Sequence, residues 1–345
     1  MNEILLQGAG CHPDIRILHL DISDRRSISK VEKFDWGNVR VALVHGVQCW
    51  TRLLRDRPDV VYLAISQKTL GFVRDCLFLL PARWLRRAVV IHLHGGNFHA
   101  FYAEASPLLR GLIRYAIGHA ARAVVLGECL RDCFAGLLPA EKIAAVPNGI
   151  PDFANGWQRD PHPPLRVLYL GTVTRAKGIE IFLQAAQRLN SRQVPLEFQV
   201  AGPWYSEQER RELAPLCKGV HILGEVSGQS KLRAWREADI FVFPGTQQEG
   251  LPLVVLEAMC AGLPVIATDR GCLREVVQHG RTGYLIAPGD VEALVKRLAE
   301  LAANPQLTRQ LGEAGRQRYE SVYRAEQFVA RMINVWNEAA QLIQQ

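Results

Sequence analysis

Short runs of apolar, often β-branched residues alternate along this chain with longer segments of helical periodicity. The runs are apolar at successive positions, which is typical of strands buried on both faces of a parallel sheet. Strands that alternate with helices favour parallel sheets covered by helices. A chain of 345 residues has room for two such domains. We predict strands at Ile15–Leu20, Val39–Val44, Val60–Ile65, Val89–His94, Ala123–Leu126, Ile143–Val146, Arg166–Leu170, Leu196–Ala201, His221–Leu223, Ile240–Phe243, Pro264–Ala267 and Tyr284–Ile286.

The segment from Pro151 to Pro164 interrupts this alternation, because it contains four prolines and has no periodicity. We place a linker there and predict two Rossmann-like α/β domains, residues 1–155 and 156–325. A C-terminal helix, residues 326–345, is expected to pack back on the first domain. Other predicted helices are Gly178–Asn190, Leu253–Ala261 and the tail from Val291 onward.

The start of the first domain departs from the usual pattern. A doubly wound domain opens with a strand, a glycine-rich loop and a helix, but only 14 residues precede Ile15. Gly8-Ala9-Gly10 lacks a preceding strand, so we predict a turn there. Our hypothesis is that this domain lacks its first strand, either because the domain is trimmed or because the true start lies upstream of Met1.

Composition excludes several functional classes. The net charge of +7 suits binding to nucleic acid, anionic lipid or phosphorylated ligands. The chain contains no zinc finger, RRM signature or arginine-rich tract, so we expect no nucleic acid partner. The eight cysteines lack the paired spacing of a zinc site. No apolar run is long enough to span a bilayer, and the first residues do not resemble a secretory signal. These features predict a cytoplasmic protein.

The strongest local signal is the segment EGLPLVVLE, from Glu249 to Glu257. It follows a predicted strand and opens a helix, with Pro252 in the first helical turn. Gly250 allows close approach of a ligand, and the free N–H groups of this turn suit a diphosphate. Glu249 and Glu257 can accept hydrogen bonds from hydroxyls at opposite ends of one ligand. The alternative, that Glu249 caps the helix and Glu257 is a surface residue, stays open.

A second signal is GTVTRAKG, from Gly171 to Gly178, which also follows a strand and precedes a helix. Such a loop binds phosphate, and here it carries the cations Arg175 and Lys177. Lys177 can neutralise the charge that builds on a departing diphosphate. A solvated basic loop is the alternative.

A third signal is HLHGGNFH, from His92 to His99, at the carboxyl end of a strand, where parallel sheets bind ligands. His94, next to the turn, is the candidate for contacting a sugar or phosphate, whereas His92 is predicted to be a packed core residue. No carboxylate is placed to complete a metal site, so we expect no metal.

In this order the motifs resemble glycosyltransferase family 4, the retaining family with the GT-B fold. The matching segments are HLHGG at His92–Gly96, VPNGI at Val146–Ile150, G-x5-KG at Gly171–Gly178, E-x7-E at Glu249–Glu257, and Pro264–Asp290. The resemblance implies two Rossmann-like domains whose parallel sheets face each other across a cleft, an acceptor domain followed by a nucleotide-sugar-binding domain. It also implies a retaining, metal-independent transfer from a nucleotide-diphospho-sugar to the hydroxyl of a sugar or a lipid-linked saccharide, without a cofactor, in cell-envelope, exopolysaccharide or lipopolysaccharide biosynthesis.

Roles for individual residues follow from the same resemblance. Glu257 would bind the ribose, and Glu249 would face the hydroxyls of the donor sugar. His94 would reach the donor sugar from the first domain, and Lys177 would contact the diphosphate. The implied catalytic residues are thus His94, Lys177 and Glu249, and the implied donor-binding residues are Gly171, Thr172, Arg175, Lys177, Glu249, Gly250, Leu251, Pro252 and Glu257.

One departure from the family pattern opens alternatives. The family usually has arginine directly after the first glycine of G-x5-KG, where this chain has Thr172, and Arg175 is the candidate substitute. If Arg175 cannot substitute, stabilisation of the phosphate weakens, and one alternative is a nucleotide-sugar-binding subunit with impaired catalysis. A sugar-nucleotide epimerase of the GT-B type is a further alternative, against which E-x7-E with G-x5-KG argues.

Two basic, amphipathic segments bear on the acceptor. Residues 83–87 (RWLRR) and 108–122 mix arginine with leucine, isoleucine, tryptophan and tyrosine. Such segments suit peripheral binding to the anionic inner face of a cell membrane, and a lipid-linked acceptor fits this. A helix with one core face and one solvated basic face is the alternative.

Overall fold

The computed structural model describes residues 1–22 and 36–344 and divides into two compact units. Unit 1 comprises Met1–Pro147 and Phe328–Gln345, and unit 2 comprises Asn148–Gln327. The described α-helices are α1 (Asn2–Gly10), α2 (Trp36–Asp56), α3 (Thr69–Trp84), α4 (Phe98–Glu104), α5 (Pro107–Ile117), α6 (Ile179–Ser191), α7 (Glu207–Leu213), α8 (Gly228–Glu237), α9 (Leu253–Cys260), α10 (Leu273–Val276), α11 (Val291–Ala303), α12 (Pro305–Arg318) and α13 (Ala325–Gln344).

Each unit contains a parallel sheet. In unit 1 the strand order is β1-β2-β3-β4, and in unit 2 it is β10-β9-β8-β5-β6-β7. The predicted parallel α/β architecture is therefore confirmed. The strands are β1 (Val60–Ala64), β2 (Ala88–His92), β3 (Arg122–Val125), β4 (Ile143–Ala145), β5 (Leu165–Leu170), β6 (Leu196–Ala201), β7 (Val220–Gly224), β8 (Ile240–Phe243), β9 (Val265–Thr268) and β10 (Gly283–Ile286).

Two predicted strands of unit 1 are wrong. Ile15–Leu20 forms no strand, although Ile15 and Ile17 pack against the core, and Val39–Val44 lies inside α2. On α2 the buried positions Cys49 and Leu53 recur at helical spacing, whereas Val44 is 48% exposed. The β-branched composition of this run suggested a strand, but helical burial decided the structure.

The predicted turn at Gly8-Ala9-Gly10 is also wrong, because these residues end α1. A Cβ on Gly8 would lie 2.7 Å from a methyl carbon of Val329 on α13. Glycine therefore serves here for close packing of α1 on α13. Val329 belongs to a buried hydrophobic cluster that also contains Leu5 of α1, Val90 of β2 and Phe328 of α13. Both helices therefore pack on the core of unit 1.

Unit 2 includes the proline-rich segment from Pro151 to Pro164. The chain enters it through a parallel bridge between Ile150 and Arg324, and the Asp152 carboxylate pairs with the Arg316 guanidinium at 2.6 Å. These contacts attach the segment to the end of unit 2, which is why the division falls at residues 147/148. Within the described ranges, no helix is long and apolar enough to cross a bilayer.

Candidate active site

Two predicted motifs meet at the carboxyl edge of the second sheet. The loop Gly171–Gly178 follows β5, and the loop that leads to α9 follows β8, which pairs with β5. The Ala176 carbonyl accepts hydrogen bonds from the backbone N–H groups of Thr246 (3.0 Å) and Gln247 (3.2 Å). Adjacent strands of a parallel sheet thus bring sequence positions about 70 residues apart into one site.

Gly178 permits the close contact between these loops. Its φ is +80°, and a Cβ there would lie 2.1 Å from the Pro244 carbonyl oxygen. Both the left-handed backbone and the lack of space require glycine. Gly178 therefore fixes how close the loop that carries Lys177 comes to the start of the loop between β8 and α9, which carries Glu249.

Lys177 and Glu249 form the central contact of this site. The Lys177 Nζ lies 3.5 Å from the Glu249 Oε1, and their side chains are 28% and 21% exposed. The Gln247 amide also donates to Glu249 Oε1, at 2.5 Å. A cation and an acceptor-only carboxylate therefore stand side by side, both open to a ligand.

The start of α9 lies beside this pair. Pro252 is the N-cap rather than a residue of the first helical turn as predicted, and no described side chain caps the helix. Gly250 and Leu251 are buried at this entrance. Because the first N–H groups of a helix lack intrahelical partners, this end suits an anion.

Asn148, in the VPNGI segment, contacts the entrance to α9. Its side chain is 3% exposed, and its Nδ2 donates to the Leu251 carbonyl at 3.4 Å. The VPNGI segment therefore supports the backbone at the entrance to α9.

Glu257 lies further along α9 and contacts α8. Its Oε1 accepts from Lys231 Nζ at 2.7 Å, and its Oε2 accepts from Trp235 Nε1 at 3.2 Å. Its side chain is 16% exposed. Glu257 is therefore held by two donors rather than free on the surface.

Arg175 is engaged with carboxylates. Its guanidinium donates to Glu180 at 3.0 Å and to Glu212 at 2.5 Å, and its backbone N–H donates to Glu209 at 3.3 Å. The Thr172 carbonyl accepts from the Tyr169 hydroxyl at 3.0 Å. In this arrangement the Arg175 guanidinium pairs with acidic side chains, so Lys177 is the predicted loop cation that contacts Glu249.

In unit 1, His94 follows the end of β2 and is half-buried. Burial, followed by the positive N-terminal amino group, lowers the pKa of His94 to about 4, so its ring is neutral at pH 7. His92 is fully buried, as predicted, and its Nδ1 lies 2.7 Å from the Tyr62 hydroxyl. The two rings lie 4.0 Å apart. In the described ranges, no group of three His, Cys, Asp or Glu residues is arranged to hold a metal ion.

Sequence reasoning missed several residues that support this site. Lys231 and Trp235 are four residues apart on α8, a spacing that puts them on one helix face, but no motif marks them. Glu209 accepts a hydrogen bond from the Thr174 hydroxyl at 3.1 Å and so holds the loop Gly171–Gly178. Arg270 donates to the Thr246 carbonyl in the loop that leads to α9. Only the fold brings these residues to the motifs.

Comparison with known proteins addresses what such a site does. Residues 157–318 match the family model "Glycosyl transferases group 1". The matched segment is less than half of the chain and contains G-x5-KG and E-x7-E. The match supports a glycosyltransferase.

Curated relatives agree with this match. The chain is 31% identical over 176 residues to the amylovoran biosynthesis glycosyltransferase AmsK of Erwinia amylovora. This alignment covers 48% of this chain and 43% of AmsK. It is 31% identical over 175 residues to the phosphatidyl-myo-inositol mannosyltransferase of Mycobacterium leprae. This alignment covers 49% of this chain and 47% of the mannosyltransferase. The chain thus spans less than half the length of the curated relatives it matches.

Solved structures establish the fold. Anabaena Alr3699/HepE in complex with UDP superposes with a TM-score of 0.71 at 18% identity, covering 85% of this chain and 82% of that one. Sucrose-phosphate synthase from Thermosynechococcus elongatus superposes with a TM-score of 0.68 at 20% identity, covering 88% and 79%. This likeness confirms the GT-B fold.

Proposed function

We propose that this chain is a retaining glycosyltransferase that moves a sugar from a nucleotide-diphospho-sugar to an acceptor hydroxyl. The contact between Lys177 and Glu249 beside the start of α9 carries the proposal. The backbone N–H groups of Gly250, Leu251 and the helix start would bind the diphosphate, and Lys177 would neutralise it as it leaves. Glu249 would accept hydrogen bonds from donor-sugar hydroxyls, and Glu257 from the ribose.

The donor class and the pathway draw on the relatives. One structural neighbour is described in complex with UDP-glucose, and two relatives are named for amylovoran and colanic acid biosynthesis. This supports a nucleotide-sugar donor and a role in exopolysaccharide or cell-envelope polysaccharide assembly. Transfer is proposed to need no metal, because Lys177 and the helix start supply the positive charge that would stabilise the leaving group.

His94 is proposed as the catalytic residue of unit 1. Because its pKa is about 4, it would act as a neutral hydrogen-bonding group towards the donor sugar rather than as a cation. We expect His94→Ala to leave nucleotide binding unchanged and to lower transfer.

A thermal-shift panel with UDP, GDP, ADP and their sugar conjugates tests the proposal, because a ligand that binds only the folded state raises the Tm. We expect one nucleotide series to raise the Tm, and Glu257→Ala to abolish this shift. Equal shifts in wild type and Glu257→Ala would refute the role of Glu257. Transfer in the presence of EDTA tests metal independence, and a loss of turnover would contradict it.

A second candidate is a nucleotide-sugar-binding subunit without turnover. Thr172, together with the engagement of Arg175 by Glu180 and Glu212, favours it. Binding of a donor without hydrolysis or transfer would establish this function. In that case, Thr172→Arg is expected to raise donor hydrolysis, because it adds a guanidinium to the phosphate loop.

Peripheral binding to the inner face of a cell membrane is proposed for unit 1. Trp84 and Leu108 are 56% and 86% exposed, and the Arg83 guanidinium lies 3.5 Å from the centroid of the 45%-exposed Tyr115 ring. The Trp84 indole N–H also donates to the Tyr115 hydroxyl at 3.2 Å, and exposed aromatic side chains beside an arginine suit an anionic lipid surface and a lipid-linked acceptor. Pelleting with vesicles that contain anionic lipid should exceed pelleting with neutral vesicles, and equal pelleting would remove the idea.

A further inference from the structure

The carboxylate of Glu257 is oriented by two different kinds of donor. Trp235 is 1% exposed, and its single side-chain N–H donates to Oε2, so a buried ring holds this oxygen of the carboxylate. The Trp235 ring packs on Phe241 of β8 with centroids 5.1 Å apart. Lys231 approaches the other oxygen at 2.7 Å and is 34% exposed, so this side of the cluster is open to solvent.

Arg159 joins the ends of the two helices that carry this cluster. Its guanidinium donates to the Trp235 carbonyl at 2.6 Å and the Arg236 carbonyl at 3.1 Å, at the end of α8. It also donates to the Ala261 carbonyl at 2.8 Å, at the end of α9. Lys231 and Glu257 therefore stand on helices whose relative position is fixed, which preorganises a binding group.

Counting donors and acceptors defines what can bind. The Lys231 ammonium has three N–H groups, of which Glu257 takes one, and each carboxylate oxygen can accept two hydrogen bonds. The pair is neutral overall, so it offers no net attraction to a phosphate. A vicinal diol fits it, because each hydroxyl can donate to the carboxylate and accept from the ammonium.

We propose that Lys231 is a donor-binding residue that recognises, together with Glu257, the two adjacent ribose hydroxyls of the nucleoside diphosphate. This inference rests on the proposed function, in which Glu257 contacts the ribose. It adds a binding residue on α8 and a specificity: the pair distinguishes a ribonucleotide from its 2′-deoxy counterpart. Trp235 is a positioning residue that acts through Glu257.

Isothermal titration tests this with UDP, GDP and ADP, followed by the 2′-deoxy form of whichever binds best. We expect wild type to prefer the ribonucleotide about tenfold or more. Lys231→Met should weaken ribonucleotide binding about tenfold and change 2′-deoxynucleotide binding only about twofold, so the preference falls. Lys231→Arg should retain part of the preference, because it keeps charged donors.

Controls separate this from a structural role. Lys218→Met removes an exposed lysine of the same unit and should leave both affinities unchanged. The Tm of each ligand-free variant reports folding. Equal weakening of both nucleotides by Lys231→Met, or no weakening, overturns the inference and leaves the proposed function standing. A wild type that binds none of the nucleotides overturns both.

Discussion

Lys177 and Glu249 follow two paired strands of the second sheet, and their Nζ and Oε1 atoms are 3.5 Å apart. We predict that Lys177→Met lowers kcat/KM for transfer about 100-fold, because the cation acts mainly on the charge that develops on the leaving diphosphate. Stability should change little, since a part-exposed ion pair contributes less than about 1 kcal/mol. Steady-state kinetics and thermal melts measure the two effects. Lys218→Met is the control, and a Lys177→Met enzyme with unchanged kcat/KM would remove Lys177 from catalysis.

Gly178 gives a prediction about stability. Gly178→Ala should destabilise unit 2 by about 3 kcal/mol or more, because the new Cβ would overlap the Pro244 carbonyl and the φ is +80°. Gly156 also has a positive φ, +77°, but a Cβ there meets no atom within 4 Å. Gly156→Ala should therefore show only the backbone cost, about 1 kcal/mol. Urea unfolding of both variants measures the difference, and similar losses would argue against the steric explanation.

His94 gives a prediction about pH. Its pKa is about 4 in the folded protein and about 6.5 in the unfolded chain, so below pH 6.5 the unfolded state binds a proton that the folded state does not. The contribution of neutral His94 to the free energy of unfolding is therefore fully present above pH 6.5 and is lost as the pH falls towards 4. At pH 5 the free energy of unfolding should be lower by about 2 kcal/mol for this reason. Urea unfolding at pH 7.5 and pH 5 should show a smaller loss for His94→Gln than for wild type. An identical loss of stability in both proteins would contradict the neutral state of His94.

The pair of Asp152 and Arg316 gives a prediction about the proline-rich segment. Their side chains are each 17% exposed and share two hydrogen bonds, of 2.8 and 2.6 Å. Arg316→Met should destabilise the protein by about 3 kcal/mol, because it leaves the Asp152 carboxylate without its main partner. Arg309→Met breaks an exposed pair with Glu313 and should change stability by less than about 0.5 kcal/mol. Denaturant unfolding compares the two variants.

The same pair sets an acid dependence. Hydrogen bonding from Arg316 lowers the pKa of Asp152 below its ordinary value. The stabilisation is therefore present above about pH 4 and is lost as the pH falls below it. Arg316→Met should remove the part of the acid-induced loss of stability that comes from protonation of Asp152. If wild type and variant lose the same stability below pH 4, Arg316 is not the cause of the lowered pKa of Asp152.

Local pattern was sufficient where a strand was buried on both faces. Each predicted strand end in unit 2 lies within one residue of the observed end. The strands β5, β8, β9 and β10 are buried at nearly every position and leave this signal clearly, whereas β7 is largely exposed and is marked only by its short apolar run. The pattern failed at Val39–Val44, because a β-branched run also fits a helix whose buried face is supplied by Cys49 and Leu53 further along. It failed at Gly8 because the constraint comes from Val329, more than 300 residues away.

By itself the sequence determined the parallel α/β architecture and the two loops that carry Lys177 and Glu249, since strand burial and glycine-rich strand–loop–helix segments are local properties. Only the tertiary structure decided which charges share a partner. It paired Lys177 with Glu249, engaged Arg175 with Glu180 and Glu212, and brought Lys231 of α8 to Glu257 of α9. The reason is physical: hydrogen bonds and ion pairs act over a few ångströms, and the order of strands in the sheet sets which distant residues come within that range.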